Sequence, residues 1–180
     1  TGSNMKLYVT SDVATSGVVS IPGQNWSQNF SVSANSVTLL NIPPASAYVG
    51  CDDCIENKGI HLVANDPVVV YSHIHANARS DATLVLPTTT LGRDYYAMSF
   101  TQASTGSAHR NQFMVLATED SPLIEITPTA NNTTGFRQAN TTFTVSLNKG
   151  EVYQYRSTSD ITGSRLLSVS SGSGGCKRIS

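Results

Sequence analysis

The chain has 180 residues, a net charge of −1 and only 13% charged residues, about half the ~25% usual in soluble domains. With 24 serines and 20 threonines it stays soluble through hydroxyls and amides, and its even charge excludes a basic field for nucleic acid or anionic lipid. Hydrophobic residues at 39% can bury a core, while the abundance of Ser, Thr, Val, Asn and Gly disfavours long helices.

Short β-branched or alternating runs separated by Gly, Pro, Asn and Asp predict strands along the whole chain. They fall at residues 6–10, 18–21, 29–32 and 37–42, with residues 12–17 read as a turn. A cysteine-bounded loop, Cys51-Asp52-Asp53-Cys54, comes next. Residues 59–64 and 68–74 read as the arms of a β-hairpin around Asn65-Asp66-Pro67. Further strands are expected at 83–86, 95–101, 112–117, 123–127, 141–147, 151–155 and 165–168. Leu91-Gly92-Arg93-Asp94 reads as one short helical turn. Strands every 8 to 15 residues give an all-β fold of sandwich or barrel type.

A period of about 106 residues is visible. Leu7-Tyr8-Val9-Thr10 aligns with Phe113-Met114-Val115-Leu116, Gly17 to Pro22 with Leu123 to Pro128, and Phe30 to Asn35 with Phe143 to Asn148. The expectation is two related antiparallel β-sandwich or barrel-like units, residues 1–110 and 111–180. The second copy reads as truncated in its C-terminal hairpin, with Cys176 to Ser180 opening a strand after a Gly/Ser turn. We therefore expect a piece of a longer secreted polypeptide, with exposed β edges available for self-association.

Cys51 and Cys54 read as a small loop-stapling disulfide of an oxidising compartment. A thioredoxin-like role lacks the βαβ context, and a zinc site lacks a second pair, because Cys176 stands alone. Asp52, Asp53 and Glu56 offer oxygens without the calcium-loop spacing and read as a solvated loop. His73 and His75 share one strand face, and His61 lies on the neighbouring arm; three converging imidazoles would suit Zn²⁺ and a metal-dependent hydrolase. A satisfied histidine on a half-buried strand is the commoner state. No nucleophile elbow, phosphate loop or dinucleotide fingerprint is present, so no cofactor and no catalysis are expected. Asn25, Asn29, Asn131, Asn132 and Asn140 head glycosylation sequons.

Gly59-Ile60-His61-Leu62-Val63-Ala64-Asn65-Asp66-Pro67-Val68-Val69-Val70-Tyr71, then Ser80-Asp81-Ala82-Thr83-Leu84-Val85-Leu86-Pro87, then Leu91-Gly92-Arg93-Asp94-Tyr95-Tyr96 together resemble the N-terminal domain of the IgG Fc-binding protein family. Asp160-Ile161-Thr162-Gly163-Ser164-Arg165 resembles a later segment of it. The low charge, the cysteine loop and the Ser/Thr content resemble the family's bacterial surface-protein branch. The resemblance implies a non-catalytic adhesion or binding module outside the cell or at its surface, and it transfers no binding residues. Candidate contacts for a protein or glycan partner are Trp26, Arg93, Tyr95 and Tyr96. No nucleic-acid partner and no membrane insertion are expected. The alternative is a self-assembling subunit joined by strand exchange.

Overall fold

The computed structural model describes residues 4–77, 79–100, 109–170 and 175–180. The Gly/Ser turn expected before Cys176 lies largely outside them. Fourteen strands are present among the described residues: β1 (Asn4–Ser11), β2 (Thr15–Ile21), β3 (Trp26–Val32), β4 (Ser36–Ile42), β5 (Cys54–Glu56), β6 (His61–Ala64), β7 (Val69–Ala76) and β8 (Arg79–Val85), then β9 (Asp94–Tyr96), β10 (Asn111–Leu116), β11 (Leu123–Thr127), β12 (Phe143–Ser146), β13 (Val152–Ser157) and β14 (Arg165–Val169). The only helical pieces among those residues are single turns at Pro22–Gln24, Pro44–Ala47 and Thr88–Thr90. The expected turn at Leu91–Asp94 therefore sits a few residues early, over the threonines.

Two compact units form. The first comprises Thr1–Tyr48 and Lys58–Pro87, and the second Val49–Asn57 and Thr88–Ser180. In the first, a four-stranded sheet β4-β1-β7-β8 and a three-stranded sheet β3-β2-β6 share one core. The alternation of β1 turns Leu7 and Val9 inward, and that of β2 does the same for Val19 and Ile21. In the second, sheets β12-β11-β14-β9 and β10-β13-β5 enclose Val115, Ile124, Ile126, Tyr153, Tyr155, Ile161 and Leu166. All sheets are antiparallel and open, so both units are sandwiches rather than closed barrels.

Residues 59–64 and 68–74 do not form a hairpin. β6 pairs with β2 and β7 pairs with β1, so the chain crosses from one sheet to the other at Asn65-Asp66-Pro67. Pairing partners are set by which inner faces meet across the core, and a short turn signal cannot distinguish a hairpin from a crossing between layers.

The pairings of the second unit follow the order of the first. β10 pairs β13 as β1 pairs β4, and β11 pairs β12 and β14 as β2 pairs β3 and β6. Ile179 bridges Ala117, beside β10, where β7 flanks β1. The second unit also carries two added strands, β5 on β13 and β9 on β14.

Candidate functional site

β9 is the outer strand of its sheet, and Ala97 just past it stays bonded to the turn that precedes β14. Odd-numbered residues face β14: Ala97 N donates to Ser164 O at 2.8 Å and Gly163 N to Ala97 O at 2.9 Å, while Ser168 N donates to Arg93 O at 2.7 Å. Tyr95 and Ala97 turn in against the second unit's core, and the Tyr95 hydroxyl accepts from Gly92 N at 2.6 Å. Strand alternation then sends Tyr96, Met98 and Phe100 outward, 65%, 91% and 69% exposed. Three large apolar side chains thus stand in water along one sheet edge, while Tyr95 and Ala97 take the core side.

Two polar knots fix this edge. Arg165 grips Asp94 through both nitrogens, Nε to Oδ1 at 2.9 Å and Nη2 to Oδ2 at 2.8 Å, and its guanidinium lies 6.0 Å from the Tyr96 ring. The hydrogen bond and charge of Arg165 hold the Asp94 carboxyl below its usual range. Such an exposed pair adds little stability; it orients Arg165 beside Tyr96. At the other end, Asp160 accepts from Ser99 Oγ at 2.6 Å and from Thr162 N at 2.9 Å, and these bonds lower its pKa. Both carboxylates work ionised: their contribution is complete above the ordinary carboxylate range and lost as pH falls through their depressed values.

Of the four contact residues expected from the sequence, Arg93 and Tyr96 are exposed beside β9. Tyr95 is turned inward, and Trp26 packs half-buried against the first unit's core. Met98, Phe100 and Arg165 were not among those expected. For Met98 and Phe100 the signal was the alternation from Asp94 to Phe100, which cannot by itself say which of its two faces is inside; Arg165, on β14, left none.

The three histidines are not brought together. His61 is on β6 of the three-stranded sheet, whereas His73 and His75 are on β7 of the four-stranded one, with His73 Nε2 2.8 Å from Ser80 Oγ. Among the described residues the only group with metal-ligand spacing is Cys51, Cys54 and Glu56. Here Cys51 and Cys54 are joined as a disulfide.

The loop closed by that disulfide is not a solvated one. Asp53, in a left-handed conformation with φ 52°, accepts from Tyr153 OH at 2.7 Å and from Arg137 Nε at 2.9 Å. Asp52 accepts from Arg156 N at 2.8 Å, from Thr133 N at 3.0 Å and from the Thr133 hydroxyl. Arg137 in turn lies 4.1 Å over the Phe143 ring. These acids bond across sequence separations of 81 to 104 residues, which loop composition cannot reveal. Burial opposes the Arg137 charge, but the Asp53 hydrogen bond and charge outweigh it and raise its pKa. Nearby, Asn132 is 5% exposed, so its sequon cannot carry a glycan in this fold.

Burial first, then Asp53, pushes the Tyr153 phenol far above its usual value; burial with the Asp52 and Asp53 charges raises Tyr155 to about 12. Both stabilise the fold in the neutral form, so their contribution is complete below pH ~10 and lost as pH rises above it toward the folded values. In an absorbance titration at alkaline pH, Tyr153 and Tyr155 should ionise only as the second unit unfolds. Ionisation of Tyr153 and Tyr155 while the second unit stays folded would contradict this placement.

An outer sheet edge with exposed aromatic, methionine and arginine side chains presents the residue types that are enriched where proteins dock. Residues 81–178, more than half of the chain, match the model of the IgGFc binding protein family, and the chain belongs to that family. It is a family of binding rather than catalytic proteins, and the matched segment contains the whole β9 edge. No curated protein and no solved structure matches the chain. No helix among the described residues is long and apolar enough to cross a membrane.

Proposed function

We propose that this chain is an extracellular, protein-binding module of a secreted or surface protein, and that it contacts its partner through Tyr96, Met98 and Phe100 with Arg165 at their side. The observation that carries this is the exposure of three large apolar side chains at alternate positions of one edge. Residues of these types dominate binding energy when a partner excludes water from them. The disulfide and the low charge favour work outside the cell. Adhesion to a protein at a bacterial surface, and descent of the two sandwiches from one duplicated unit, are further parts of this reading; the shared pairing order supports the duplication.

The test uses the whole chain as bait against displayed libraries of folded secreted proteins, with the IgG Fc fragment as one defined probe and a glycan array alongside. Partners should be recovered whose binding weakens at least tenfold in the triple variant Tyr96→Ser, Met98→Ser, Phe100→Ser. The variant Tyr71→Ser, Leu84→Ser, on the first unit's outer face, should leave it unchanged. Binding insensitive to the triple variant, or glycan binding alone, would overturn this assignment. A second reading, self-association through the open edge of β9, is favoured by its place at the end of its sheet. It requires concentration-dependent sedimentation that the triple variant abolishes.

A further inference from the structure

We propose that the Cys51–Cys54 disulfide is a reductant-operated clamp on β13, so that a dithiol releases the edge of the second sandwich without unfolding the first. Only three positions separate the two cysteines, and the ring they close holds Asp52 and Asp53 between them. Within that ring Asp53 takes its left-handed conformation, one that a non-glycine residue adopts only when its surroundings hold it there. The two carboxylates leave the ring toward β13 and toward the 130–137 segment. Asp53 reaches Tyr153 and Arg137, and Asp52 reaches Arg156 N and Thr133. Two more bonds run the same way: Asp53 N donates to Gln154 O at 3.0 Å, and the Gln154 side-chain Nε2 donates to Cys51 O.

The ring leads directly into β5, which pairs only Cys54, Ile55 and Glu56 with Gln154, Tyr153 and Val152. A three-residue edge strand has little holding power of its own, because its few bonds do not repay the entropy of ordering the segment. The disulfide removes that entropy in advance, so the carboxylate ties and the short strand form together. Both cysteines are half-buried rather than enclosed, which leaves the bond open to attack. A dithiol such as dithiothreitol supplies two electrons and two protons; the S–S bond opens to two thiols and the dithiol closes to its own disulfide. The freed loop regains its entropy, and the edge of β13 opens where β5 lay.

Hydrogen exchange of the full chain, read by mass spectrometry, tests this directly. The exposed thiol of Cys176 is blocked first, and alkylation after reduction reports whether Cys51 and Cys54 have opened. Dithiothreitol should speed exchange about tenfold at residues 130–137 and 152–157, with β1 and β2 unchanged. The double variant Cys51→Ser, Cys54→Ser should show the same pattern without reductant; should it fail to fold, the dithiothreitol arm decides. Three results overturn the proposal: a disulfide that resists dithiothreitol in the folded protein, opened thiols with unchanged exchange in those segments, or equal acceleration in both units.

Discussion

Gly17→Ala should destabilise the first sandwich by about 3 kcal/mol, although it adds one methyl group. Gly17 lies in the central strand of the sheet β3-β2-β6, facing Phe30 on one side and Ala64 on the other. A β-carbon there would stand 2.2 Å from the carbonyl oxygen of Val63, 2.7 Å from the Phe30 ring and 2.9 Å from the Ala64 α-carbon. Two of the three are backbone atoms, so no rotamer change relieves the contact. The sheet must part or bulge at β6, and Val19 and Ile21, which are fully buried, lose their packing with it. A differential hydrogen-exchange measurement should find β2 and β6 deprotected while β11 and β14 keep their protection. A variant as stable as the parent would mean that β2 and β6 do not approach as described.

The second large effect is expected at Asp53. Asp53→Ala removes the acceptor of the Tyr153 hydroxyl and the partner of Arg137 in one step. Tyr153 is 2% exposed, so its hydroxyl has no easy recourse to water, whereas Arg137 retains access with a third of its side chain exposed. The stranded phenol carries most of the cost, and the arginine is discounted for solvent screening; together they give a loss of about 2–3 kcal/mol. Asp53→Asn keeps an acceptor oxygen and loses the charge, so it should cost about 1 kcal/mol. Urea titration of the three proteins gives the comparison, and equal midpoints for all of them would contradict the clamp as drawn.

These two positions also mark where the sequence was and was not legible. Strand positions were readable because alternation leaves a local record: residues 123–127 are the strand Leu123–Thr127, and 37–42 lie within Ser36–Ile42. Gly17 read as the end of a turn because glycine there has two meanings, a flexible hinge or a place where another backbone comes close. Only the pairing with β6 selects the second. Pairing is a property of faces meeting across a core, and this is why the segments at 59–64 and 68–74 took different sheets. β5 was missed for a related reason: three residues contain no period, and its existence depends on β13, which lies about a hundred residues away.

The candidate site divides in the same way. Tyr96 and Arg93 were legible as candidates because aromatic and arginine side chains in a loop-to-strand transition stand out by type, and both are exposed. Met98 and Phe100 were not, since large apolar residues at alternate positions ordinarily signal the buried face. Here Tyr95 and Ala97 occupy the core side, and the strand ends its sheet with Tyr96, Met98 and Phe100 in water. Asp52 and Asp53 looked solvated because every partner they hold lies far along the chain.

Methionine oxidation reads out whether a partner docks on the β9 edge. Met98 is 91% exposed, so its thioether should oxidise readily under dilute peroxide in the free chain. In complex with a partner recovered by display, peptide mass spectrometry should show Met98 protected at least tenfold, with the half-exposed Met114 of β10 unchanged as the internal reference. Oxidation of Met98 at the same rate in the saturated complex as in the free chain would contradict the account.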